Sequence, residues 1–356
     1  PLHGRMPILS CAPPDRPAVR RTMERLSPLS GDGEACVDAL LGLSADMIEQ
    51  ATAENLARTG GKYDVEILLE SKRRELRRAG LEVWSPVTDL GGLSGLRTVV
   101  ESEVLPFLHD EQLAIRRVLC AGMPGMGKSY FSRWLGHRLK RLVVNWSPGK
   151  SKGKYVGDTE GAVANIFKTV DALAPSILVI DEIDCALSRE SGDPTSGPVM
   201  QMLLSWLQES RSDTIVIGTL NRLDKLDAAL ESRFSLRFFF DLGTEKEREH
   251  VAAIHYRRLG CENVSAVANV TAELTDGFSS REIAEMVCPT VARQSQRKST
   301  SDAIKSACAS VTPASKTQAD QLKAMRQAAQ TLRRANDPEP VASVPTGSRR
   351  IAKGGG

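Results

Sequence analysis

One stretch constrains the architecture more than any other: VLCAGMPGMGKSYFSRWLG, residues 118–136. Four apolar residues run into a glycine-rich turn. A helical stripe of Phe131, Trp134, Leu135 and Leu139 follows it. Gly122, Gly127, Lys128 and Ser129 satisfy the spacing G-x-x-x-x-G-K-[ST]. Glycines let backbone N–H groups face inward around phosphate oxygens, and the helix behind them aims its positive end at the same point. The loop Gly122, Pro124, Gly125, Met126, Gly127, Lys128, Ser129 and the following Tyr130 is therefore expected to hold a nucleotide. Lys128 is expected to reach the β- and γ-phosphates and the Ser129 hydroxyl to ligate Mg²⁺. ATP and Mg²⁺ are the ligands that this chemistry implies.

The surroundings suit that reading. Strand candidates RVLCA (117–121), RLVVNW (141–146), SILVID (176–181), TIVIGT (214–219) and SLRFFF (235–240) alternate with helical stripes. Val163, Ile166, Phe167 and Val170 form one stripe; Val199, Met202, Leu203, Trp206 and Leu207 form another. Both are expected to be core. Short apolar runs alternating with amphipathic helices imply a mainly parallel five-stranded sheet covered on both faces. Five units are expected along the chain: a flexible arm over 1–33, a helical region over 34–86, the α/β nucleotide-binding domain over 87–241, a helical lid over 242–335 and a flexible tail over 336–356. Thr244 with Glu247, and Ser279 with Glu282, have capping-box spacing at two lid helices. A further helix is expected over 318–333.

Composition narrows the class without choosing a partner. A net charge of +3 over 356 residues neither demands nor excludes nucleic acid. The cysteines, Cys11, Cys36, Cys120, Cys185, Cys261, Cys288 and Cys308, form no Cys-x-x-Cys pair and suit a reducing compartment. No signal peptide and no bilayer-spanning apolar run is expected from the residues given. The expected location is cytoplasmic, or the plastid stroma for a chain of plastid origin, with no membrane partner.

Two further motifs complete a chemical set. In ILVIDEID, a buried strand delivers Asp181, expected to hold Mg²⁺, and Glu182, expected to polarise the attacking water; Asp184 is read as structural. In GTLNRLDKLDAALESRF, Asn221 ends a strand where a neutral amide could position that water. Arg233 is a cation without a role in its own protomer, of the kind offered across a subunit boundary to a phosphoryl transition state.

GMPGMGKS, ILVIDEID and NRLDKLDAALESRF, in this order and spacing, resemble AAA ATPases of the AAA+ superfamily. The resemblance implies a P-loop NTPase AAA+ core followed by a helical lid and preceded by a helical appendage. It also implies a homo-oligomeric ring of six subunits. TDLGGLSGL (88–96) resembles the segment whose backbone lies near adenine, so Leu90 and Gly91 would face the base. KYVGDTEGAVANIF (154–167) resembles the stretch carrying a central pore loop, so Tyr155, Val156 and Gly157 would grip a threaded polypeptide. GFSSREI (277–283) resembles the lid motif, with Arg281 able to reach the γ-phosphate, and His255 resembles a lid histidine near adenine. LLESKRRELRRAGLEVW, LLSWLQE and TPASKTQADQLKAMRQAA resemble the hypothetical chloroplast reading frame type of AAA ATPase. One departure stands out: many relatives carry two arginines at the subunit boundary, whereas ESRF leaves Ser232 beside Arg233.

Three functions are open at this stage. The favoured one is an ATP-hydrolysing ring motor that remodels or unfolds a protein substrate. The second is an ATPase acting on nucleic acid, with GKSKGK (149–154) tracking phosphates beside Tyr155. The third is a nucleotide-gated assembly scaffold with little turnover.

Overall fold

Strands built from unbroken apolar runs need cover on both faces, and the sheet is assembled accordingly. The computed structural model describes residues 13–29, 32–78, 81–148, 159–186, 196–223, 228–298 and 300–336. Its strands are β1 Glu82–Trp84, β2 Arg117–Gly122, β3 Leu142–Trp146, β4 Ser176–Ile180, β5 Thr214–Leu220, β6 Leu236–Phe240 and β7 Arg333–Arg334. Their spatial order is β1-β3-β4-β5-β2-β6-β7. The five strands expected from the sequence are contiguous and parallel. Two edge strands extend them: β1 runs antiparallel to β3, and β7 runs parallel to β6. At three and two residues, both are too short to show a period.

Alternation along β2 separates two cores. Leu119 and Ala121 pack beneath the helices Thr159–Ala172 and Ser196–Glu209, whereas Val118 and Cys120 pack with Phe131, Trp134 and Leu135 of the helix Lys128–Leu139. On the first face Phe167 stacks on Trp206 with centroids 4.5 Å apart, and the Trp206 indole donates to Asp171 at 2.7 Å. Both stripes thus pack into the core as expected, with Met202 and Trp206 only partly buried at its edge.

The N-terminal part differs from its expectation. Residues 16–26 fall within the expected arm, yet Arg16–Leu26 is a helix, with Pro17 in its first turn and the Asp15 carboxylate accepting from Ala18 N at 2.9 Å. Val19 and Met23, four apart, are completely buried. The helices Gly33–Leu40, Ala45–Thr59 and Val65–Arg78 follow, and all share the core of Leu119. Gly42 explains how closely this region docks. Its φ is +84°, and a Cβ there would lie 2.0 Å from the Ala172 carbonyl oxygen.

Beyond β6, the helices Glu245–Arg258, Val264–Leu274, Cys288–Gln294 and Ser301–Ala309 surround a separate core containing Tyr256, Ile283 and Val291. Thr244 and Glu247 form their capping box. Ser279 and Glu282 also exchange both bonds, at 2.7 and 3.2 Å. The helix expected over 318–333 is shorter, spanning Ala319–Ala328. Leu322 and Met325 leave the lid core for the two cores of the sheet, Leu332 and Ala335 follow them, and β7 pairs with Phe238 and Phe239. Burial against the sheet, rather than helical propensity, decides where this helix stops.

Candidate functional site

Parallel pairing brings the carboxyl ends of β2, β4 and β5 together, with Ala121 opposite Leu220 and Ile180 opposite Gly218. The residues that follow each strand therefore meet at one crevice, the usual place for ligands in such sheets. After β2 the loop turns through Gly125 (φ +85°) and Gly127 (φ +93°), conformations that side-chain-bearing residues rarely adopt. The Lys128 ammonium donates to the carbonyls of Gly122 and Met123, the latter at 2.9 Å, and to Asn221 Oδ1 at 2.9 Å. Burial pushes this ammonium down to about 8.

After β4, the Asp181 carboxylate accepts from Thr219 Oγ at 2.6 Å, and the same hydroxyl accepts from Glu182 N at 3.1 Å. Glu182 itself has φ +54°, an uncommon conformation for a residue with a side chain. The turn aims the Glu182 carboxylate toward Asn221, whose amide nitrogen lies 3.5 Å from Glu182 Oε1. Asp184, 3% exposed, accepts from the N–H groups of Asn221 and Arg222 at 3.1 and 2.8 Å. It fixes the backbone that carries the amide.

These groups line a cavity of about 390 Å³. Leu90 and Gly91 form one wall with His255, whose protonation burial and the Arg258 charge both disfavour. Gly91 lies so close to the lid that a Cβ there would meet Val251 Cγ2 at 2.9 Å. Pro124, Met126, Ser129 and Tyr130 line the loop side, and Arg258 lies over the Tyr130 ring at 5.8 Å. Arg281 reaches the cavity from the lid, its N–H donating to the Gly125 carbonyl at 3.0 Å. Ser129 and Asp181 offer only oxygen donors, and Oδ2 of Asp181 makes no bond within the described residues. That donor set fits Mg²⁺, which takes few protein oxygens and completes its shell with phosphates and water.

Arg233 lies outside this cavity, at the amino end of β6, and donates to Gln208 Oε1 at 2.9 Å. Tyr155, Val156 and Gly157 lie outside the described residues, as does GKSKGK. Thr219 escaped sequence reading: a hydroxyl near a strand end looks like any β-former until the β4–β5 register is known. Glu247 was read only as a cap, yet its Oε1 also accepts from Leu93 N at 2.7 Å beside the cavity.

Residues 118–242 match the model of the ATPase family associated with various cellular activities (AAA). The chain is 27% identical over 268 residues to the "uncharacterized AAA domain-containing protein ycf46" of Guillardia theta, an overlap of 70% of this chain and 53% of that protein. It is 33% identical over 245 residues to the cell division cycle protein 48 homolog of Archaeoglobus fulgidus, covering 65% of this chain and 33% of the relative. The chain thus spans about half the length of the first relative and a third of the second. In three dimensions it resembles the FIGL-1 AAA domain in complex with ADP. The TM-score is 0.60 at 23% identity, over 71% of this chain and 93% of that domain.

Proposed function

We propose that this chain, whose residues 118–242 match the AAA family model, binds and hydrolyses ATP as a ring of identical protomers that remodels a protein substrate. The observation that carries the reading is the convergence of Lys128, Asp181, Glu182 and Asn221 on one cavity at the ends of adjacent parallel strands.

In this reading the backbone of 122–129 wraps the phosphates, and Lys128 exchanges its carbonyl partners for phosphate oxygens. The base lies against Leu90, Gly91 and His255. Ser129 and Asp181 would hold magnesium, which when bound would neutralise phosphate charge. Glu182 accepts the proton of the attacking water, and Asn221, relieved of Lys128, orients that water beside it. Arg281, hydrogen-bonded through its backbone to Gly125, moves with the lid against the terminal phosphate. Arg233 serves the site of a neighbouring protomer. Tyr155, Val156 and Gly157 are assigned to the substrate grip by the KYVG motif alone.

The test is ATP turnover per protomer against protein concentration, with Glu182→Gln as the blank. Turnover that rises steeply and then reaches a plateau is expected, because the site is completed between subunits. Turnover at the level of the blank at every concentration, with nucleotide-driven assembly intact, would instead favour a scaffold.

A further inference from the structure

Among the described residues, two arginines at the far end of the sheet have no acid to neutralise them. Arg117 opens β2. Arg233 lies two residues ahead of Ser235, whose hydroxyl donates to the Arg117 carbonyl at 3.2 Å. The register of Val118 with Leu236 sets the two segments side by side. Strand alternation places Arg117 on the face of Leu119 and Ala121, which the helix Ser196–Glu209 covers. Arg233 reaches the same helix through its bond to Gln208. Other cations nearby are paired: Arg116 and Arg141 share Asp213, and Arg237 takes Glu231. Among the described residues no carboxylate lies within ion-pair distance of Arg117 or Arg233, and Nε of Arg233 is buried without a partner. Burial first, then the positive charges of Arg233 and Arg116, lower the Arg117 guanidinium below its ordinary value. Like charges held together in a half-buried place cost free energy unless an anion arrives to meet them.

The protomer's own nucleotide cannot be that anion. β2 spans Arg117 to Gly122, about 17 Å at roughly 3.3 Å per residue, and the phosphate loop lies at its opposite end. No side chain bridges that span. We infer that Arg117 and Arg233 together form a two-arginine site for the terminal phosphate of ATP bound to a neighbouring copy, with Gln208 holding Arg233 in position. The inference rests on the reading of Arg233 given above and adds a second cation to it. Two planar guanidiniums match phosphoryl oxygens with paired hydrogen bonds, which a lone arginine cannot fully supply. The site also answers the departure at Ser232: the second positive charge comes from the start of β2, more than a hundred residues earlier in the chain, where motif spacing does not look for it.

The experiment measures plateau ATP turnover and single-protomer nucleotide affinity for Arg117→Met, Arg233→Ala and Gln208→Ala. Each arginine variant is then mixed with Glu182→Gln protein. Methionine keeps the aliphatic stem of Arg117 and removes its charge. Turnover of Arg117→Met should fall at least about tenfold, within the range an arginine contributes to phosphoryl transfer, while nucleotide affinity stays within about twofold. Gln208→Ala should give a smaller loss in turnover. The decisive readout is complementation. Arg117→Met protomers keep Glu182 and lack only what a neighbour must supply, so mixing with Glu182→Gln protomers should restore turnover that neither has alone. Arg233→Ala mixed the same way should behave alike.

If Arg233→Ala is impaired and restored by mixing while Arg117→Met matches wild type, the second cation is refuted and the reading of Arg233 stands. A loss in Arg117→Met that mixing leaves unrestored, beside a restored Arg233→Ala, places Arg117 within its own protomer and also overturns the inference. Turnover indifferent to Arg233→Ala and to concentration, or an Arg233→Ala defect that mixing does not restore, removes both readings together.

Discussion

Thr219→Val tests whether the geometry of Asp181 and Glu182 is held by one hydroxyl. Valine preserves the shape of threonine and suits a central strand, so packing around this 1% exposed position changes little. Two bonds disappear: the one donated to Asp181 at 2.6 Å and the one accepted from Glu182 N at 3.1 Å. A bond to a charged acceptor contributes about 1.5–3 kcal/mol, and an N–H left without a partner costs about 1–3 kcal/mol. Asp181 is half-exposed and water replaces part of what it loses, so the net destabilisation should be about 2 kcal/mol. Glu182 matters more for turnover. Its left-handed backbone costs on the order of 1–3 kcal/mol to maintain, and the Thr219 bond to its N–H opposes that cost. Without that bond the carboxylate drifts from the attacking water, and a displacement of about 1 Å costs roughly a hundredfold in rate. Urea unfolding and single-turnover hydrolysis should be measured together, with Thr219→Ser as the variant that keeps the hydroxyl. Wild-type hydrolysis and stability in Thr219→Val would refute the argument. So would an equal loss in Thr219→Ser and Thr219→Val.

Three further outcomes follow from the same geometry. With the Lys128 ammonium pushed down to about 8 and needed protonated beside phosphate, ATP should bind with proton uptake near pH 8–9 and weaken as pH rises further; calorimetry in buffers of different ionisation enthalpy reads this, and zero uptake at pH 8.5 contradicts it. Lys72, completely buried against the carbonyls of Asp38 and Pro175, is pushed down to about 7 by burial, with Asp38 and Asp213 opposing and Arg141 reinforcing. The unfolded chain then holds a proton that the folded chain has released, so stability should rise from about pH 7 towards the ordinary lysine value, and Lys72→Met should flatten that slope in denaturant titrations. Gly42→Ala should cost at least about 1–2 kcal/mol from left-handed strain alone, with overlap on the Ala172 carbonyl added to it; an unchanged unfolding midpoint would mean that the N-terminal helices do not dock there.

What the sequence disclosed follows from where each signal resides. The five parallel strands were readable because burial on both faces leaves unbroken apolar runs, such as 177–180 and 215–217, between polar boundaries. The helix Arg16–Leu26 was not, because Val19 and Met23 are its only fully buried positions among arginines and a glutamate. The N-terminal region borrows its core from the sheet, so its stability is not encoded locally. Lys128, Asp181, Glu182 and Asn221 could be grouped before any coordinates, since the carboxylates and the amide follow strand ends, Lys128 closes the glycine-rich loop that follows another, and parallel order fixes which ends are neighbours. Thr219 and Arg117 could not. The first acts through the β4–β5 register and the second through the β2–β6 register, and register is a property of the assembled sheet.

The same distinction bears on how the lid can move. Glu247 caps the first lid helix through Thr244 N at 2.9 Å, accepts from Leu93 N at 2.7 Å and accepts from Asn336 Nδ2 at 3.0 Å. Asn336 in turn accepts from Asp241 N at 2.8 Å, and Arg326 grips the Asp241 carboxylate at 2.9–3.1 Å. Gln321, on the same helix as Arg326, donates to the Asn221 carbonyl at 3.3 Å. The Leu90–Gly91 side of the cavity is therefore bolted to the lid through charge-assisted bonds, which are the stronger kind. On the phosphate side, the lid meets the loop through the Arg281 N–H and the Gly125 carbonyl, while the Arg281 side chain is largely exposed. Opening should follow the weaker connection: the lid should pivot near Thr244 and part from the glycine-rich loop first, keeping its contacts on the Leu90–Gly91 side. The retained link from the helix Ala319–Ala328 to Asn221 means that such a swing pulls on the residue whose side chain meets Lys128 and Glu182, so under the proposed function lid position and hydrolysis should be coupled through the returning C-terminal segment.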